Sequence, residues 1–262
     1  MKAIAKNYNS LVEKYYDIEK EVSEKEIHTK RIILRRVFPI LAACKINPAK
    51  IKNGEKAFKL FGKLRDIQVQ ILTLECIEQN EDTELYLEFL KQKEIKFQQK
   101  ILSFSKQSRV VFPTIKKVKI NKAKLTEKVL NGATKLVERT RQHPIDDASD
   151  VHKIRIELKK FRYLAEMLSY VAKIDESKLK MLKLYQDKLG KIQDYEVLIT
   201  GINKFNKKRN STEDSTTETL GIDQNTLIEE FDNETEKFMD LCKGILQPVL
   251  DDITITTTTH LE

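Results

Sequence analysis

The residues best placed to do chemistry are cations. His152, Arg155, Lys159 and Arg162 follow one another at three- and four-residue intervals, and His28, Arg31 and Arg35 do the same earlier in the chain. On a helix turning about 100° per residue, the first set falls within an arc of about 80°. Lys160 stands at its margin, as Arg36 does for the earlier set. At about 1.5 Å rise per residue, the stripe from His152 to Arg162 is about 15 Å long. Apart from Glu166, four residues beyond Arg162, and Asp150 at the end, no carboxylate shares its face. A row of like charges without acidic partners at such spacings repels itself. An anion laid along it would relieve the repulsion. Each guanidinium can chelate two phosphate oxygens, whereas Lys159 offers a point charge. A single stripe would read as a solvated helix face, but two matched stripes favour a polyanion binder. Ile156, Leu158, Phe161 and Ala165 are expected to turn away toward a core.

Other chemistries lack their usual signals. Neither GxGxxG nor GxxxxGK[ST] occurs, so dinucleotide and P-loop sites lose their phosphate cradle. There is no GxSxG elbow, no HExxH and no Cys/His pairing with a local signature. Cys44, Cys76 and Cys242 are widely spaced without a CxxC, which suits reduced thiols rather than a disulfide framework. No catalytic residue, metal or cofactor is therefore expected, and the chain reads as a non-enzyme.

The elements that must position the stripes are helices. In 262 residues there are only 7 Gly and 5 Pro, with 34% charged and 7% aromatic residues. So few chain-benders argue against sandwiches and barrels, which need a turn every 8–12 residues or so. The 48 Lys+Arg against 40 Asp+Glu leave a net charge of +8. No secretory signal opens the sequence, and no apolar stretch reaches the roughly 20 residues a membrane span requires. A cytoplasmic protein without membrane partners is expected.

Residues 1–22 read as helix, with Ile4, Leu11, Val12, Tyr15 and Ile18 near one face. Ser23 and Glu26 form a capping-box pattern opening a second helix to about Ile46. Asn47-Pro48 starts a third, to about Gln79, and Asp82 caps a fourth through Arg109. Pro113 then breaks the chain in a connector. Asn121 opens a fifth helix to Arg141, followed by a loop around His143. Ser149 or Asp150 caps a sixth, ending near Lys173, and Asp175 or Ser177 starts a seventh, to about Phe205. Polar residues 206–224 suggest a mobile surface loop. Thr226 begins a last helix stopping near Pro248, and residues 251–262 read as a disordered tail whose Leu261-Glu262 looks like a cloning scar.

The two stripes belong to a longer repeat. The stretch from His28 to Arg36 lies over that from His152 to Lys160, and Phe61-Gly62-Lys63-Leu64-Arg65-Asp66 lies over Leu189-Gly190-Lys191-Ile192-Gln193-Asp194. The order is the same and the two offsets differ by four residues, which a loop absorbs. A tandem duplication of a four-helix unit follows, with residues 1–112 and 113–250 as the copies.

With VHKIRIELKKFRYLAEML followed by YQDKLGKIQDYEVL, the second copy resembles the conserved-histidine α-helical domain family, CHAD. It follows that family's H-x-x-R-x-x-x-K-x-x-R-Y-x-x-E pattern and its later L-G-x-x-x-D. IHTKRIILRRVFPIL and FGKLRDIQVQIL follow the first-motif forms, and the resemblance covers roughly residues 5–250. It implies an all-α pair of four-helix bundles with pseudo-twofold symmetry, together one CHAD domain. It also implies binding of inorganic polyphosphate, or a similar polyanion, along a basic surface or central channel. Some relatives carry a triphosphate-hydrolysing tunnel domain for which this chain has no room. Polyphosphate granules are a candidate place of association. One departure stands out: where the family's first motif continues with a third arginine, this chain has Phe38, so the first stripe is one cation shorter.

The polyphosphate-binding set is thus His28, Arg31, Arg35, Arg36, His152, Arg155, Lys159, Lys160 and Arg162. Lys63, Arg65, Arg109 and Lys191 could extend the basic surface. Asp66 and Asp194 are expected to pair with arginines of the neighbouring helix, Arg31 and Arg155 being the candidates, and to orient them. The two histidines either donate to phosphate or anchor the loop before their helix. Two other readings compete. A nucleic-acid binder would interleave aromatics with its basic residues, which these stripes do not. A scaffold would use the repeat for packing alone.

Overall fold

The computed structural model of the protein describes residues 1–17, 23–77, 80–118, 120–141, 145, 147–209, 216–245 and 247, with the backbone alone at 48, 82 and 216–223. These residues form α1 (Lys2–Asp17), α2 (Glu24–Ala43), a 3-10 turn (Pro48–Ile51), α3 (Lys52–Glu75), α4 (Glu81–Gln107), α5 (Lys122–Arg141), α6 (Ala148–Ser169), α7 (Glu176–Arg209), α8 (Thr216–Asp232) and α9 (Thr235–Gly244). No strand occurs among them, so the fold is all-α.

Local side chains set most helix starts. Glu26 N donates to Ser23 Oγ at 3.3 Å, and Ser23 N donates back to the Glu26 carboxylate at 3.1 Å, completing the expected capping box. Asn47 accepts from Ala49 N at 2.9 Å, but the chain makes a 3-10 turn before α3 begins. Asn80, rather than Asp82, caps α4, because its side chain accepts from Thr83 N at 3.0 Å. Asp147, rather than Ser149 or Asp150, caps α6 by accepting from Asp150 N at 2.8 Å.

The C-terminal third departs from expectation. The proposed loop 206–224 is largely helical: α7 runs on through Arg209 and α8 begins at Thr216. Packing outweighs composition here, since Gln224 is buried and donates to the Ile192 carbonyl at 3.2 Å. The single last helix is two, α8 and α9, separated by a turn at 233–234. Ile18, His143 with its neighbours 142, 144 and 146, and the 251–262 tail lie outside the described residues.

Neighbouring helices pair in sequence, α1 with α2, α2 with α3 and α3 with α4, then α5 with α6, α6 with α7 and α7 with α8, while α9 returns to α5. The halves meet where α2 crosses α6 and α7 crosses α3 and α4. The connector is stitched to α1. Tyr8 Oη donates to the Pro113 carbonyl at 2.8 Å, and Asn9 bonds both the carbonyl and the N–H of Ile115, at 2.9 and 3.2 Å. Phe112, Ile115, Val118 and Ile120 are buried there, so the connector is part of the core. A second apolar cluster joins α3, α4 and α7 through Ile67, Ile71, Leu74, Tyr86, Leu90, Leu198 and Ile202. Its closeness depends on Gly201, where an added Cβ would meet Tyr86 Oη at 2.1 Å and Gln70 Oε1 at 3.0 Å. No helix among the described residues is long and apolar enough to cross a membrane.

Candidate functional site

The α2–α6 seam brings four of the stripe cations together. Arg31 and Arg35 come from α2, Arg155 and Lys159 from α6, and all four are half-buried. Their proximity is registered in their ionisation. Burial first, then Arg155, Arg35 and Arg31, drive the Lys159 ammonium down to about 7, with Asp194 opposing. Burial and Arg35 push the Arg31 guanidinium down to about 10, against the pull of Asp66, and Arg155 adds to the push. Arg155 is likewise lowered, by burial and by Arg35, while Asp194 and Asp66 oppose. These four side chains therefore lie near enough to act on one another where α2 meets α6.

The cluster is poorly compensated. The Nε atoms of Arg31 and Arg155 are enclosed by protein with no hydrogen-bond acceptor. Buried donors of this kind normally find a partner, and leaving one unmet costs about 1–3 kcal/mol. The ion pair within the cluster is long, Arg31 Nη2 to Asp66 Oδ1 at 3.8 Å, and Asp66 itself is 60% exposed. Asp194 is the strongest compensating charge on Arg155 but lies beyond 4 Å of it. Burial, with Asp66 adding, raises the Asp194 carboxyl, while Arg155 and Lys159 oppose. The pairing expected of Asp66 with Arg31 thus forms loosely. That of Asp194 with Arg155 is electrostatic without contact.

Two glycines let the guanidinium groups lie against the next helix. A Cβ at Gly62 would sit 3.5 Å from Arg31 Nη2, and one at Gly190 would sit 3.9 Å from Arg155 Nη2. From the sequence both glycines read as part of the matched segments, with Gly62 also weakening its helix, and neither has a role beside the cations.

The remaining stripe residues divide. His28 is exposed at the edge, and desolvation, Arg65, Arg35 and Arg31 lower its pKa while Glu24 opposes. His152 is also exposed, its Nδ1 bonded to Gln193. Lys160 is exposed and paired with its own Glu157 at 2.8 Å, outside the cluster. Arg36 is exposed and lines a crevice with Tyr163 and Glu166. Arg162 does not join the cluster either. It is 7% exposed, pairs with Glu166, donates from Nε to Gln186 at 2.9 Å and covers the Tyr163 ring at 4.6 Å. The position aligned with it in the first half, Phe38, packs against Phe58 at 5.5 Å. Both halves use that position for packing, so Phe38 costs the cluster no cation.

Leu158, Phe161 and Ala165 are buried as expected, but Ile156 is 38% exposed, beside the stripe, as its counterpart Ile32 is at 37%. Of the wider basic set, Arg65 is engaged by Glu24 at the start of α2, and Lys63 and Lys191 are exposed on the flanks. Arg109 belongs elsewhere, on a groove formed with Tyr16, Lys30 and Phe104. Among the described residues no three His, Cys, Asp or Glu side chains gather where they could hold a metal ion.

Comparison with known proteins places this arrangement in a family. No curated protein sequence matches. A solved structure, the CHAD domain from the plant Ricinus communis, superimposes with a TM-score of 0.55 over 93% of this chain and 88% of that one, at 17% identity. That likeness is one of fold. The family model for the CHAD domain matches residues 2–202, most of the sequence and both halves of the seam, and the chain therefore belongs to the CHAD domain family.

Proposed function

We propose that the protein binds inorganic polyphosphate without hydrolysing it, at the seam cluster of Arg31, Arg35, Arg155 and Lys159. One observation carries the reading: four cations from two helices face one another with almost no carboxylate between them, and two of their buried N–H donors lack acceptors. Polyphosphate carries a charge on each unit and presents oxygens without bases. It would accept from the outer N–H groups of these side chains and neutralise their mutual repulsion. His28 and His152, exposed on α2 and α6, and Lys63 and Lys191, exposed on α3 and α7, would extend the contact for a longer chain. The matched surroundings of Arg31 and Arg155, each over a glycine and near an aspartate, also support reading residues 1–112 and 113–250 as two copies of one unit.

The test is retention of long-chain polyphosphate by the full chain and by Arg31→Gln/Arg35→Gln/Arg155→Gln. A second triple, Lys63→Gln/Lys160→Gln/Lys191→Gln, removes the same charge from the periphery. The reading requires the first to lose binding by at least about tenfold more than the second. Equal losses would mean net charge alone is being read. Displacement of polyphosphate by RNA at equal phosphate concentration would favour nucleic acid instead, and release of orthophosphate would make the protein an enzyme.

A further inference from the structure

The first half carries a groove that none of the four seam cations lines. Its volume is about 800 Å³, inside the range of roughly 300–1,000 Å³ common for small-ligand sites. Residues of α1, α2, α3 and α4 wall it, together with those just after α4. Tyr15, Ile27, Ala57, Phe61 and Ile101 are buried and make its floor, with Phe104 and Val110 half-buried beside them. Tyr16, Ser105, Lys106 and Arg109 are exposed and form its rim. Along α4 the lining runs from Ile101 to Gln107, about 9 Å at 1.5 Å rise per residue.

The charge on this groove has one sign. Lys30, Lys106 and Arg109 line it, and no carboxylate does among the described residues. The C-terminal end of α4 favours cations nearby, which accounts for their position but leaves their charge unpaired. Lys91, earlier on α4, meets Glu75 at 3.2 Å, whereas neither Lys106 nor Arg109 has a carboxylate within 4 Å among the described residues. The rim is also anchored. Asn53 Nδ2 donates to the Arg109 carbonyl at 3.0 Å. Phe112 N donates to Tyr16 Oη at 2.9 Å, which leaves the hydroxyl proton of Tyr16 to give elsewhere.

We propose that this groove binds a single-chain amphiphilic carboxylate, with its tail along the apolar floor and its head at Lys106 and Arg109. An elongated apolar trough suits a chain, and each methylene it takes from water adds up to about fourfold in affinity. The Arg109 guanidinium matches a carboxylate with two parallel N–H groups, and Lys106 adds a point charge. The site is independent of the polyphosphate reading and uses none of the seam cations.

The experiment titrates the full chain with dodecanoate, below its micellar range and at neutral pH, by calorimetry. One dodecanoate should bind per chain. Octanoate, four methylenes shorter, should bind at least about tenfold more weakly. Dodecyltrimethylammonium, with the same chain and a positive head, should also lose at least about tenfold. Lys106→Gln/Arg109→Gln should weaken dodecanoate by a similar factor. Ser105→Trp, which puts a bulky ring on the rim, should block it, and thermal melting checks that both variants are folded. Equal binding of the two head groups, or wild-type affinity in the double variant, would overturn the proposal. Polyphosphate retention by the same preparations separates the two ideas: retention without dodecanoate binding refutes the groove alone, and the reverse refutes the seam alone.

Discussion

On the proposed reading, Lys159 should make polyphosphate binding a proton-linked event. In the free protein its ammonium ionises at about 7 under burial and the charges of Arg155, Arg35 and Arg31. An anion seated among those guanidinium groups should cancel their repulsion but not the burial, which is the larger cause, so the group should rise from about 7 without reaching its ordinary value of about 10.4. The bound state should then hold more protons than the free state, so affinity should fall as pH rises above about 7. A rise of about one to two pH units would give an uptake of about 0.4–0.8 proton per site at pH 8. The same rise implies an affinity loss of about 5- to 25-fold between pH 7 and pH 9. His28, lowered by desolvation and by Arg65, Arg35 and Arg31, titrates below this window and contributes little to it. Calorimetry in two buffers of different ionisation enthalpy measures the uptake directly. Lys159→Arg, which stays charged, should bind with near-zero uptake and a flat profile from pH 7 to pH 9. Wild-type binding at pH 8 without proton uptake, or identical uptake by the arginine variant, would refute the reasoning.

Further outcomes follow from the same geometry. Lys159→Met should weaken polyphosphate retention yet stabilise the unliganded protein, since it removes a charge held against its neighbours. After discounting for solvent screening the gain is about 1–2 kcal/mol, or about 3–6 °C in Tm by thermal melting. With four cations engaged, affinity should fall about 50-fold between 50 and 200 mM salt, and losing one arginine should reduce the logarithmic slope by about 0.7. Gly201→Ala should cost about 1–3 kcal/mol in denaturant unfolding, because its methyl would collide with Tyr86 Oη, while retention per folded molecule stays unchanged.

Much of this was legible in the residues themselves. The Ser23–Glu26 cap, the helical class and the angular grouping of Arg31, Arg35, Arg155 and Lys159 all follow from local spacing. Arg162 shows where spacing stops. Glu166 stands four residues on and could be read as its partner, but Gln186 comes from another helix, and together they hold Arg162 apart from the four clustered cations. No single helix reveals that α2 and α6 turn their cations toward each other, because that depends on how the halves cross. Residues 206–224 fail for the opposite reason. Their polar composition suggests a loop, whereas contacts such as Gln224 with the Ile192 carbonyl hold much of the segment in helix.

The seam divides its charge evenly, two cations hung on α2 and two on α6. Like charges therefore repel one another across the contact between the halves. On the proposed reading, a guest bridging them would act as a rivet, offsetting that repulsion. Amides flanking the α2–α6 crossing should therefore exchange more slowly with solvent once the guest is in place, and fragments severed within the connector should reunite more readily in its presence.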